Sequence, residues 1–173
     1  MIAIKVFLLI TLPVIVLFGG AKLMNEMSGR RTVELQKPLF QRLSYNVAAV
    51  QSYWTELKDI DKNALENEKV FLKLDLFFPF FYGGAFSASL LMLWIMLDKP
   101  ISLIWLLMPV AIAITADWTE NIIQLGQIQL FMGDQELQPD QVQIASISTF
   151  IKIMSIVASS LLLLGLSVCL IIK

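Results

Sequence analysis

The sequence predicts an all-α membrane protein: a four-transmembrane-helix bundle with a short helical extramembrane loop subdomain. The first observation is composition, since 57% of the 173 residues are hydrophobic and mean hydropathy is +0.74, more than a soluble domain of this length needs. The second is a set of four apolar segments that each reach the ~20 residues a helix needs to cross a ~30 Å hydrocarbon core. A polar stretch between the first two segments predicts the extramembrane part.

The four predicted spans belong to a single membrane domain, residues 1–173, and lie at about 2–24, 76–97, 101–125 and 144–172. The first span begins near the initiator methionine and has the small residues Gly19, Gly20 and Ala21 near a plausible signal-peptide cleavage point. Because the chain includes Met1, we predict a retained helix. The turn at 98–100 is so short that the second and third helices must form an antiparallel hairpin.

The predicted extramembrane loop, about 25–73, contains a helical pattern of its own. Apolar residues recur there at spacings of four, three, four and three, which is typical of one helix face, at Leu43, Val47, Val50, Trp54 and Leu57. Ser44 or Asn46 can cap the start of this helix. We therefore expect short amphipathic helices on the membrane face of the bundle, where they cover helix ends or lie at the interface.

The charge distribution suggests an orientation without fixing it. The side with the long loop carries nine Lys or Arg, against Lys5, Lys99 and Lys173 on the other side, which favours a cytoplasmic loop. Seven acids between Glu26 and Glu68, and a Lys before the first apolar run, argue the other way. We predict a multi-pass protein of a bacterial-type cytoplasmic membrane and leave the direction open.

Composition excludes several kinds of site. The chain has no histidine, which removes imidazole acid–base catalysis, haem ligation by histidine and histidine-rich di-iron centres. Its single cysteine, Cys169, excludes an intramolecular disulfide. A net charge of -1, without a basic run interleaved with aromatics, gives no indication of nucleic-acid binding. We expect no metal and no cofactor, and membrane lipids as partners.

Polar residues inside the apolar helices are the candidate site. In the third helix they stand at i, i+3, i+4 and i+7 and so share one face, whereas Trp118 and Ile122 point elsewhere: Asp117, Glu120, Asn121 and Gln124. The fourth helix has a matching stripe with one cation: Ser148, Lys152, Ser155 and Ser159. The second helix adds Asp75 at its mouth and Tyr82 seven residues later, followed by two glycines that permit close helix approach.

Counting along the helices places these groups at one depth. Asp117 and Lys152 lie about ten and nine residues from the same surface, or ~14 Å deep at ~1.5 Å per residue, with Tyr82 at a similar level. A lone charge there costs ~2.5 to 3.5 kcal/mol, so we expect Lys152 to pair with the acids. One Lys cannot neutralise both Asp117 and Glu120, and at least one of the two is expected to be protonated or reached by water.

Three interpretations of this cluster stay open. It is a hydrogen-bonded network that fixes helix register, or the floor of a pocket for a lipid-like ligand or a proton, or an acid–base pair of carboxyls. We predict a non-catalytic membrane protein that binds a lipid-like ligand or stabilises a membrane assembly, with a membrane-protein partner or a homo-oligomer. The alternatives are an intramembrane lipid-modifying enzyme and a proton-coupled small carrier.

The motifs are similar to those of a family of small, uncharacterised bacterial proteins with four transmembrane helices. The shared pattern is Asp-x-x-x-Pro-x-x-Tyr-Gly, here Asp75 to Gly83, then a Pro followed by Asp-x-x-Glu-Asn, here Asp117 to Asn121, and a Lys in the last helix, here Lys152. The resemblance covers most of the chain beyond residue 40. It implies the same fold and the same choice of residues, and it supplies no activity.

Overall fold

The computed structural model describes residues 2–30, 38–39 and 42–173, and 84% of these residues are helical with no strand among them. The helices are α1 (Ile2–Ser28), α2 (Val47–Ile60), α3 (Ala64–Asp75), α4 (Phe78–Met96), α5 (Leu103–Met132) and α6 (Pro139–Ile172). Four of them, α1, α4 with its extension α3, α5 and α6, are long and apolar enough to cross a membrane. The predicted all-α bundle is confirmed.

Helices α5 and α6 are longer than the predicted spans. Their 30 and 34 residues correspond to ~45 and ~51 Å, against ~30 Å of hydrocarbon. Helix α5 continues seven residues past position 125, and α6 begins five residues before position 144. The predicted spans ended where the sequence becomes polar. A helix can continue beyond that point, because its backbone hydrogen bonds do not depend on lipid. The extra turns project on the side of the extramembrane loop.

Helices α2 and α3 cover these projecting ends. The apolar face of α2 is buried as predicted at Val50, Trp54 and Leu57, whereas Leu43 is 54% exposed. These residues share a core with Ile128 of α5 and with others: Leu39, Tyr53, Ala64, Leu65, Leu72, Leu137 and Val142. The Asn46 side chain caps α2 by accepting a hydrogen bond from the Ala49 amide at 2.9 Å. The amphipathic helices therefore pack on protein, over the helix ends.

A single glycine makes room for close packing in the hairpin of α4 and α5. A Cβ atom built on Gly83 would lie 2.4 Å from Cδ1 of Ile114, so the end of the Ile114 side chain occupies space that a larger residue on α4 would fill. A Cβ on the neighbouring Gly84 meets nothing within 4 Å. Of the two glycines that the sequence offered for close approach, only Gly83 serves it.

We expect Gly83→Val to destabilise the bundle by about 1 to 3 kcal/mol, because the added methyl groups must push Ile114 off α4. The measurement is thermal unfolding in detergent. Gly84→Val is the matched control, since it makes the same change in helix propensity one residue away, on an open face. Equal losses in the two variants would contradict a packing role for Gly83.

Candidate functional site

The structure brings all seven predicted site residues together where α3, α4, α5 and α6 meet. We call this group the polar cluster: Asp75, Tyr82, Asp117, Glu120, Asn121, Gln124 and Lys152. Each of these residues is buried, with exposed fractions from 0 to 7%. Four of them are on α5, where the predicted spacing puts them on the face that packs against α4 and α6.

Lys152 lies at the centre of the polar cluster. Its Nζ is 3.1 Å from Oδ1 of Asp117 and 2.5 Å from Oε2 of Glu120, so one ammonium from α6 bridges two carboxyls of α5. The i, i+3 spacing of the acids makes this possible, because both side chains leave α5 on the same face. These ion pairs join α5 to α6, and they leave none of the three charged groups alone in an apolar region.

The other carboxyl oxygens are also satisfied. The Tyr82 hydroxyl of α4 donates to Oδ2 of Asp117 at 3.0 Å, and Nδ2 of Asn121 donates to Oδ1 of Asp117 at 3.2 Å. Nε2 of Gln124 donates to Oε1 of Glu120 at 2.9 Å. Asn121 and Gln124 each stand four residues after the acid they contact, so α5 orients both carboxyls itself.

Side chains of α5 supply hydrogen bonds to the backbone at the break between α3 and α4. The helix is interrupted after Asp75 and restarts at Phe78, and Pro79 in its first turn has no backbone N–H to donate. Two carbonyls are freed there: that of Asp75 accepts from Nδ2 of Asn121 at 3.3 Å, and that of Leu76 accepts from Nε1 of Trp118 at 2.9 Å. Backbone groups at membrane depth need such partners. Trp118 thus lies off the polar stripe, as predicted, yet supports the same junction.

A tyrosine of the extramembrane loop completes the network. The Tyr45 hydroxyl accepts from Nε2 of Gln124 at 3.1 Å and lies 3.3 Å from Oγ1 of Thr149, whose own proton goes to the carbonyl of Ala145. Burial, together with the nearby charge of Glu120, raises the pKa of Tyr45 to about 12. The phenol is therefore neutral at physiological pH and donates to Thr149, which ties the loop to α5 and α6.

The charges of the polar cluster do not balance. The cluster holds three carboxyls, those of Asp75, Asp117 and Glu120, and one ammonium, that of Lys152, which forms ion pairs with Asp117 and Glu120. Within the described part of the chain, Oδ1 of Asn121 is a buried acceptor with no donor, and its amide cannot be turned round because Nδ2 already serves two acceptors. The expectation of a protonated carboxyl stays a prediction, and this oxygen is a candidate partner for that proton.

No residue of the polar cluster lines any of three surface cavities, of 500, 510 and 400 Å³, among the described residues. The smallest is a groove between α5 and α6 and contains Thr115 and Thr119, whose hydroxyls each donate to a carbonyl four residues earlier at 2.9 Å. Among the described residues, no group of three acidic, cysteine or histidine side chains has the geometry to hold a metal ion.

A second buried ion pair lies in the loop subdomain. The guanidinium of Arg30 contacts both oxygens of Glu68, Nε at 2.5 Å and Nη2 at 2.8 Å, and Nη2 also donates to the Tyr53 hydroxyl at 2.9 Å. The Arg30 Cζ lies 4.2 Å from the centre of the Phe71 ring. Burial, with the charge of Glu68 nearby, raises the pKa of Tyr53 to about 12. This cluster joins the end of α1 to α2 and α3.

Reasoning from the sequence named every member of the polar cluster but missed Tyr45, Thr149 and the Arg30–Glu68 pair. Periodicity finds residues that share one helix, whereas Tyr45 and Gln124 are 79 residues apart and meet only through tertiary packing. Pro79 was the one available signal for Trp118, because a proline inside an apolar span frees a carbonyl that needs a donor. Comparison of the chain with protein-family models, curated proteins and solved structures gives no match.

Proposed function

We propose that the chain is a non-catalytic, multi-pass protein of a bacterial-type cytoplasmic membrane that works within a membrane assembly, and that its polar cluster holds the helices in one register. The observation that carries the proposal is the bridge from Lys152 to both Asp117 and Glu120, with donors on the remaining carboxyl oxygens. These contacts pair Lys152 with two of the three carboxyls of the polar cluster.

Such a network matters more in lipid than in water. Lipid tails are as apolar as leucine, so packing and interhelical polar contacts decide how the helices pair. A slide of α6 by one helical turn, ~5.4 Å, would take Lys152 out of reach of both acids and leave three charges unpaired in hydrocarbon. The polar cluster therefore favours one arrangement of α4, α5 and α6 over its neighbours.

Burial argues against the alternatives. A general acid or base must reach its substrate within hydrogen-bond distance, directly or through one water. Asp117 is 2% exposed and Glu120 is 0% exposed. A carrier or a ligand pocket would also need access to these groups, and the described cavities are lined by other residues. These observations support a network that stabilises the fold.

Asp117→Asn and Glu120→Gln, made singly, test this role. Each removes a carboxylate from the bridge, and the loss of a hydrogen bond to a charged group costs about 1.5 to 3 kcal/mol. We expect both variants to unfold at lower temperature in detergent while carrying the same co-purified lipid as the wild type. Thr119→Val is the control, because its exposed hydroxyl bonds only within α5.

Three outcomes would contradict the proposal. A variant that keeps wild-type stability but loses a bound lipid would show that the polar cluster is a pocket. A product ratio that differs between the lipids of cells with and without the gene would indicate an enzyme. A wild-type protein that runs only as a 19.5 kDa monomer in mild detergent, with no partner after cross-linking in membranes, would remove the assembly.

A further inference from the structure

An apolar cleft separates α1 from the junction of α3 and α4. It is lined on one side by Val16, Leu23 and Met27 and on the other by Leu74, Phe77 and Phe81. At its floor Gly20 faces the ring of Phe78, where a Cβ on the glycine would lie 2.3 Å from Cε2.

The dimensions of the cleft match one lipid chain. Its volume is about 510 Å³, within the range of ~300 to 1,000 Å³ for small-molecule sites. From Val16 to Met27 it extends ~16 Å along α1, close to the ~15 Å depth of one leaflet of a ~30 Å core. Leu23, Met27 and Phe77 are 56, 63 and 65% exposed, so the cleft opens sideways to the surrounding lipid.

One lysine, Lys73, is next in sequence to the cleft's lining residue Leu74, although its own side chain does not line the cleft. Lys73 is exposed, immediately precedes Leu74, and makes no ion pair within the described part of the chain. By contrast, Lys69 is paired with Glu66 at 3.7 Å. Since α3 leads from the extramembrane loop to Leu74, this end of the cleft lies nearest the lipid headgroups. An anionic headgroup at that level is within reach of a lysine there.

We propose that this cleft binds one acyl chain of an anionic membrane phospholipid, whose phosphate is held by Lys73. The acyl chain gains no hydrophobic energy when it moves from the bilayer into the cleft, since both environments are apolar. Dispersion contacts with the two walls of the cleft retain it, and the headgroup sets the choice of lipid. The site is independent of the polar cluster, because none of its lining residues belongs to that cluster.

The acyl-chain site is tested by filling the cleft. Native mass spectrometry of the protein released from membranes in mild detergent is expected to show one retained phospholipid on the wild type. Leu23→Trp should lose that lipid, because the indole occupies the cleft. Leu161→Trp is the matched control, since Leu161 is a similarly exposed leucine, 64%, on α6 and lines none of the three cavities. Equal thermal unfolding of the two variants checks that both are folded.

The headgroup site is tested in nanodiscs made of equal amounts of phosphatidylglycerol and phosphatidylcholine. We expect the wild type to retain phosphatidylglycerol about fivefold over phosphatidylcholine, the factor that ~1 kcal/mol per lysine at a membrane surface corresponds to. Lys73→Gln should abolish this preference, and Lys58→Gln, an exposed lysine on α2, should keep it. The acyl-chain site is overturned by a wild type that retains no lipid, or by equal loss of lipid in Leu23→Trp and Leu161→Trp. The headgroup site is overturned by a preference for phosphatidylglycerol that survives Lys73→Gln. A homodimer that Leu23→Trp dissociates would also overturn the proposal, because a second copy of the protein would then occupy the cleft.

Discussion

Replacement of Lys152 by Met is expected to cause the largest loss of stability of any single change in the membrane region. The variant leaves Asp117 and Glu120 buried, 2% and 0% exposed, without the ammonium that bridges them. Removing one partner of a buried ion pair typically costs about 3 to 5 kcal/mol, since the remaining charge stays desolvated. We therefore expect a much lower unfolding temperature in detergent and a lower yield of folded protein from membranes.

Lys173→Met is the matched control for this experiment. Lys173 follows the same helix and is also ion-paired, at 2.6 Å from Asp98, but both side chains are exposed and the pair is screened by water. Its loss should change little. Combining Lys152→Met with Asp117→Asn and Glu120→Gln should recover part of the lost stability, because both carboxylates that the lysine contacts are then neutral. A Lys152→Met protein as stable as Lys173→Met would contradict the central role of the bridge.

The composition of the polar cluster was predictable because two regular features of helices determine it. The 3.6-residue repeat places Asp117, Glu120, Asn121 and Gln124 on one face, and the constant rise per residue puts Asp117 and Lys152 at one depth. The cost of a lone charge in lipid then requires the two to meet. The structure shows the contact that follows, 3.1 Å between Nζ of Lys152 and Oδ1 of Asp117.

Contacts that depend on the path of the loop were not predictable in this way. Tyr45 reaches Gln124 and Thr149 only because α2 and α3 settle on the projecting turns of α5 and α6. Those turns were themselves unpredicted, since hydropathy marks where lipid ends and says nothing about where a helix ends. The residues of such contacts are polar and scattered, and no periodicity distinguishes them from solvated loop residues.

The same reasoning explains why the four helices were found and the extramembrane ion pair was not. A membrane span is a local property of ~20 residues, readable from length and composition. Arg30 and Glu68 are 38 residues apart, in a stretch where most charged residues are solvated. Although burial opposes the charge, the Glu68 carboxyl and the Tyr53 hydroxyl raise the pKa of Arg30 above its usual value, so the guanidinium remains charged.

Loss of Arg30 is expected to destabilise the extramembrane subdomain about as strongly as loss of Lys152 destabilises the bundle. Arg30→Met removes both hydrogen bonds to Glu68, which is 2% exposed, and the donor to Tyr53, which is 1% exposed. Because Glu68 then lacks its cation, we expect the free energy of unfolding to fall by about 3 to 5 kcal/mol. Because the contacts join the end of α1 to α2 and α3, hydrogen exchange should accelerate in α2 and α3 more than in α5 and α6.

Two further variants separate this ion pair from its packing. Lys69→Met, which removes a lysine whose partner Glu66 is 58% exposed, is the control and should leave exchange in α2 unchanged. In Arg30→Met with Glu68→Met, apolar side chains of similar size replace both charges, and such replacements of buried pairs are often neutral or stabilising. We expect this double variant to recover part of the stability that Arg30→Met loses, the rest being the cost of the buried Tyr53 hydroxyl, which loses its contacts with both Arg30 and Glu68. If it is as unstable as Arg30→Met alone, the ion-pair account is wrong, and contacts of the arginine outside this pair, such as that with the Phe71 ring 4.2 Å from its Cζ, explain its effect.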